Sequence, residues 1–167
     1  MVKNKLTYYS LFISTEFLIA IYYNSIKYKG ADIMVDYITG VNGTGKTRLL
    51  VQTAIATADI SKGSVVFVDC ESRQELYLPN KIRLINTADY EINSAVTLIG
   101  FLLGLCASNF DLTDIFIDSA HKILKKDTDL SDFMEIIAKA SENTGVNFHF
   151  SIGDSEEKRL IYQNISK

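Results

Sequence analysis

The chain has 167 residues, with 17 basic and 20 acidic side chains, a formal charge of −3 and 47% apolar residues. That size buries a core without metal or disulfide staples and suits one domain, or one domain with an appendage. Two cysteines (Cys70 and Cys106), one proline and nine glycines exclude a disulfide framework and a low-complexity chain, and the acidic balance argues against a nucleic-acid-coating protein.

From Leu6 to Tyr23 nearly every residue is apolar or aromatic, with Lys3 and Lys5 before the run and Lys27 and Lys29 after it. Its length touches the lower limit for crossing a bilayer. Glu16 lies in its middle, however, where a carboxylate costs about 2.5–3.5 kcal/mol, and no small-residue cleavage site follows. A membrane anchor is one reading. The other concerns translation: Lys29-Gly30-Ala31 can be encoded by a purine-rich AAAGGAGC stretch, in the form and spacing of a bacterial ribosome-binding site ahead of Met34. Residues 1–33 are therefore expected to be an N-terminal extension, either upstream sequence read in frame or an anchor-like segment, with the domain at 34–167. Four basic and two acidic residues fall in 1–33, which leaves the domain 13 against 18, or −5.

Val35–Thr39 reads as a short apolar strand, and 47–59 carries apolar residues at helical spacing. Ser64–Asp69 is a β-branched run after Lys62-Gly63 and predicts a buried parallel strand. A loop or helical turn through Arg73–Leu78 leads to Lys81–Ile85, which alternates like an edge strand. Asn93–Ser108 predicts a strongly apolar helix capped by Asn93 or Ser94. Thr113–Asp118 predicts another buried strand, Asp129–Glu142 a helix capped by Asp129 or Ser131, and Val146–Ile152 the last strand. Strands and helices alternating at this spacing predict an α/β fold, a mainly parallel sheet of about five strands between helical layers.

The decisive segment is Gly40-Val41-Asn42-Gly43-Thr44-Gly45-Lys46-Thr47, which satisfies G-x-x-x-x-G-K-[ST] between a predicted strand and a predicted helix. The glycines let successive backbone N–H groups converge on an anion, and the helix adds its positive end. Lys46 then reaches the phosphates as a point charge, and Thr47 offers its hydroxyl to Mg²⁺. The alternative is a plain glycine-rich turn. A Mg²⁺ site also needs a carboxylate at the end of a neighbouring strand, and Ile115-Phe116-Ile117-Asp118 supplies one in Asp118; the alternative is an ordinary strand-ending acid.

The phosphate loop and the IFID strand resemble those of the additional-strand P-loop NTPases, the group that includes RecA-like and AAA-like ATPases. The segments 35–50, 65–69, 92–93 and 110–118 are also similar to a group of small uncharacterised bacterial ATP-binding or ATPase-like proteins that begin directly with the first strand. The resemblance implies a three-layer P-loop NTPase domain, ATP and Mg²⁺ as ligands, and a carboxylate to activate water. Helicase-like members follow the strand acid with Glu, but Ser119 stands there, and a hydroxyl is a poor base near neutrality. RecA-like members place the Glu after the second strand as D-x-E. Asp69-Cys70-Glu71 is similar, which makes Glu71 the expected water-activating residue, against a solvent-exposed loop glutamate as the alternative.

Ser151, at the end of the last strand, is read as a structural hydroxyl or a sensor of the terminal phosphate. His121 lies one turn past Asp118 and reads as a surface residue or a neighbour of the site, and His149 as a packed histidine. Cys70 has no basic neighbour to activate it. Arg48, Arg73, Arg83 and Arg159 form no recognisable finger. ATP is preferred over GTP because Asn80-Lys81-Ile82-Arg83 puts Arg where guanine recognition needs an acid. The expected function is a cytoplasmic ATP-binding protein with slow or partner-stimulated ATPase activity, a nucleotide-dependent switch read by a protein partner. No nucleic-acid partner is expected, and a membrane contact only through residues 1–33. The alternatives are a small-molecule or nucleotide kinase, for which no basic lid insert is visible, and a non-hydrolysing ATP-binding module.

Overall fold

The computed structural model describes residues 22–27, 34–40, 42–71, 78–124 and 130–153. In chain order these form β1 (Tyr22–Lys27), β2 (Met34–Gly40), α1 (Lys46–Ile60), β3 (Ser64–Asp69), β4 (Ile82–Asn86), α2 (Ala95–Ser108), β5 (Leu112–Asp118), α3 (Leu130–Thr144) and β6 (Asn147–Gly153), with 3-10 turns at Thr87–Tyr90 and Ala120–Lys122. The strands lie in the order β1-β2-β6-β5-β3-β4. β1 runs antiparallel to β2, and every other pair is parallel.

The parallel sheet of five strands agrees with the sequence reading, and β4 is its edge as expected. A sixth strand joins it from the segment assigned to the extension. Tyr22-Tyr23-Asn24-Ser25-Ile26-Lys27 lacks the period-two alternation that would mark it in the sequence. Most of the apolar run 6–23 lies outside the described residues, as does the predicted turn at 73–77. Among the described residues no helix is long and apolar enough to cross a membrane.

Alternation along the strands sorts the core into two layers. Val35, Val66, Val68, Ile115, Ile117, Phe148 and Phe150 face α2 and α3, where they meet Leu98, Leu102, Phe133 and Ile137. Ile38, Val65, Phe67, Ile82 and Phe116 face α1, where they meet Leu50 and Ala54. Burial on both faces explains the continuous apolar stretches Val65–Val68 of β3 and Ile115–Ile117 of β5, each fully buried Phe or Ile contributing about 1.5–3 kcal/mol. Ser94 caps α2 in a capping box: its Oγ accepts from Thr97 N at 3.2 Å, and its N donates to Thr97 Oγ1 at 3.1 Å. α3 is described from Leu130 to Thr144; the expected cap at Asp129 lies outside the described residues.

The face toward α1 also holds three buried ionisable groups. His149 on β6 lies between Asp36 on β2 and Asp114 on β5, all at most 6% exposed. Its Nε2 is 3.1 Å from Asp114 Oδ1, and its Nδ1 is 3.2 Å from Asp36 Oδ2. The imidazole stacks on Phe116 at 4.2 Å, and Asn147 Nδ2 donates to Asp114 Oδ1 at 3.0 Å. The sequence reading of His149 as a packed histidine agrees, although the two carboxylates were not foreseen.

Burial alone would push the His149 pKa down, but hydrogen bonding and charge from Asp114 and Asp36 outweigh it, and the value stands above the ordinary 6.5. Burial likewise pushes Asp114 up, and hydrogen bonds from His149, Thr113 and Asn147 outweigh it, leaving the carboxyl below its ordinary 3.8. A raised histidine stabilises in full below its unfolded pKa, and that contribution fades as pH climbs through the folded value. A lowered carboxyl stabilises above its unfolded pKa and fades as pH falls through the folded one. The trio therefore stabilises the fold most between about pH 4 and pH 6.5. His149→Gln is expected to cost about 3 kcal/mol near pH 6, because it leaves two buried carboxylates without their cation, and to cost less at alkaline pH. Urea unfolding across that range checks it; a loss that does not vary with pH would mean a neutral imidazole in the fold.

Candidate functional site

All five parallel strands end at one edge of the sheet, and the first of them, β2, turns into α1 there. Between Gly40 and Lys46 the chain makes a tight turn in which Gly43 (φ 85°) and Gly45 (φ 88°) occupy the left-handed region. Nothing lies within 4 Å of a Cβ built at either position, so backbone conformation rather than space calls for glycine. Gly45 is the N-cap of α1. Gly45 offers no side chain to cap that helix end, and the first turn itself contains no acidic residue. Asn42 is exposed and Thr44 half-buried along the turn, and Val41 lies outside the described residues.

Lys46 opens α1 and is 8% exposed, with its Nζ donating to Gly40 O at 2.6 Å across the loop. One residue on, Thr47 Oγ1 lies 2.9 Å from Asp118 Oδ2 and 3.1 Å from Oδ1. This contact joins residues 71 apart in sequence, from the first turn of α1 to the last residue of β5.

Asp118 has no exposure to solvent. Ser151 Oγ on β6 donates to its Oδ1, Ser119 Oγ stands 3.4 Å from its Oδ2, and its main-chain carbonyl accepts from Cys70 N at 3.2 Å. Ser151 Oγ also accepts from Ser119 N at 2.8 Å. Both observations favour the structural-hydroxyl reading of Ser151, while placing it directly on the strand-end carboxylate.

β3 pairs with β5 so that Asp69 lies opposite Asp118. Glu71, two residues on, thus arrives beside the turn that follows β5. Its N–H donates to Asp69 Oδ1 at 2.9 Å, its Oε2 is 3.2 Å from Ser119 Oγ, and its Oε1 pairs with Lys122 Nζ at 3.4 Å. The structure therefore brings Lys46, Thr47, Asp118 and Glu71 to one edge of the sheet. Ser119 and Lys122, which the sequence reading did not count among the site residues, complete the surroundings of Glu71; the only signal for them was their place directly after the strand-end acid. His121 Nδ1 accepts from Gly153 N at 2.9 Å, which ties the same turn to the end of β6.

Cys70 is buried in this region, and its thiol is pushed well up by burial, with the negative charges of Asp69 and Asp118 adding to the effect. It is a protonated, unreactive thiol at neutral pH. Among the described residues no group of three or more His, Cys, Asp or Glu could hold a metal. One carboxylate with one hydroxyl fits Mg²⁺, which binds through few protein ligands together with phosphate oxygens and water.

No protein-family model matches the chain, and no curated protein matches it. Its fold is similar to the crystal structure of the flagellar accessory protein FlaH from Methanocaldococcus jannaschii, with a TM-score of 0.57 at 14% identity, over 78% of this chain and 66% of that one. The chain thus spans just under two thirds of that protein's length. The likeness is one of fold, a parallel sheet between two helical layers.

Gly45→Ala is expected to lower the stability of the nucleotide-free protein by about 1–2 kcal/mol, the cost of a Cβ in the left-handed region. Urea unfolding measures it, and an unchanged midpoint would show that the loop relaxes into another conformation.

Proposed function

We propose that this chain binds Mg·ATP at the loop of residues 40–47 and hydrolyses it slowly or under stimulation by a protein partner, as a cytoplasmic nucleotide-dependent switch. The observation that carries this reading is the contact of Thr47 Oγ1 with both oxygens of the buried Asp118, one residue after an ammonium folded back over its own glycine loop. A hydroxyl and a carboxylate brought together beside an uncapped helix end suit a divalent cation shared with phosphate oxygens.

In this reading the loop N–H groups and Lys46 Nζ bind the phosphates, and Thr47 and Asp118 hold Mg²⁺. The cation, when bound, neutralises charge on the phosphate oxygens. Glu71 orients the attacking water and takes its proton on the carboxylate, as the water oxygen bonds to the terminal phosphorus and the bond to the ADP oxygen breaks. Slow turnover follows from the chain's own residues: Ser119 occupies the position where helicase-like proteins carry a second acid, and Lys122 shares Glu71 Oε1. The same serine favours a second reading, a module that binds ATP without hydrolysing it.

Lys46→Ala is expected to abolish ATP binding in titration calorimetry, and an unchanged affinity would reject the site. Glu71→Gln is expected to lower phosphate release at least about tenfold with binding intact. If the unaltered protein binds ATP and releases no phosphate, the non-hydrolysing module takes its place.

A further inference from the structure

The turn after β5 engages both carboxylate oxygens of Glu71, but with unequal partners. The Lys122 and Glu71 side chains are 49% and 33% exposed, and an ion pair with such access to water contributes little and weakens with salt. Ser119 is different. It is 3% exposed, its N–H is held by Ser151 Oγ at 2.8 Å, and its carbonyl accepts from Lys122 N at 2.9 Å. Its hydroxyl lies 3.2 Å from Glu71 Oε2 and 3.4 Å from Asp118 Oδ2, between the two carboxylates of the site.

The main chain of Ser119 is also in the left-handed region, at φ 56° and ψ 35°. A residue with a Cβ is strained there, and glycine would relieve it. The backbone thus favours glycine, while a hydroxyl aimed at two acids occupies the position. Such strain beside a site is sustained where the side chain has work that glycine cannot do.

We propose that Ser119 is a positioning residue for Glu71. Its hydroxyl donates to Oε2 and holds the carboxylate in one orientation beside Asp118. This rests on the proposed role of Glu71 as the base and adds the group that orients it. The serine after the strand-end acid then acts on water at one remove, through a glutamate carried by the neighbouring strand.

The test uses Ser119→Gly, which removes the hydroxyl and suits the backbone, alone and combined with Glu71→Gln in the full chain. Steady-state hydrolysis is followed against ATP concentration and pH. Ser119→Gly is expected to lower kcat about five- to tenfold with KM unchanged, and to move the acidic limb of the kcat profile to higher pH, because the ionised carboxylate loses a hydrogen bond. It should cause no further loss in the Glu71→Gln background, since an orienting group has nothing left to orient. Wild-type kcat in Ser119→Gly, or losses that multiply in the double variant, would overturn the proposal. Full activity in Glu71→Gln alone, or no turnover in the wild type, would remove the base and the role of Ser119 with it, and each shows in a protein where Ser119 is intact.

Discussion

A carboxylate with no access to water is costly unless its oxygens are occupied, and Asp118 is such a group. Thr47 from the first turn of α1, Ser151 from β6 and Ser119 from the following turn all direct hydroxyls at it, and Cys70 N–H takes up its main-chain carbonyl. The glycine loop at the start of α1, β5, β6 and the end of β3 are thereby tied to one side chain. The relative placement of those elements is set at that side chain, so the burial that makes Asp118 expensive also makes this edge of the sheet stiff.

The sheet face toward α1 mixes polar and apolar groups. Phe67 and Phe116, stacked at 6.4 Å, share one row across the sheet with His149 and Asp36, and Asp69, Asp118 and Ser151 lie one step nearer the loop edge. The opposite face, under α2 and α3, is uniformly apolar in its central strands. The first face therefore offers chemistry and the second offers cohesion, a division that strand alternation alone produces.

Much of this was legible in the sequence, because the signals were local. The glycine spacing of 40–47, the β-branched run of β3 and the apolar strand ending in Asp118 each carry their meaning within eight residues. Pairings between strands carry none. That Glu71 meets Ser119 depends on β3 lying beside β5 in a register that sets Asp69 opposite Asp118, and that His149 meets two acids depends on β6 entering between β2 and β5. Ser119 itself was read as the lack of a glutamate, since its left-handed backbone and its reach toward the adjacent strand have no sequence signature. β1 escaped for a simpler reason: its polar centre, Asn24-Ser25, breaks any period.

The position of β6 bears on how the molecule comes into being. It sits between β2 and β5 and contributes Ser151 to Asp118, yet it is made after every other strand of the sheet. During synthesis β3, β4 and β5 can pair as they emerge, while β2 has no parallel neighbour until residues 147–153 have left the ribosome. A nascent chain short of that point carries the whole glycine loop in its sequence and lacks the scaffold to aim it, so the loop stays unanchored until β6 slots home.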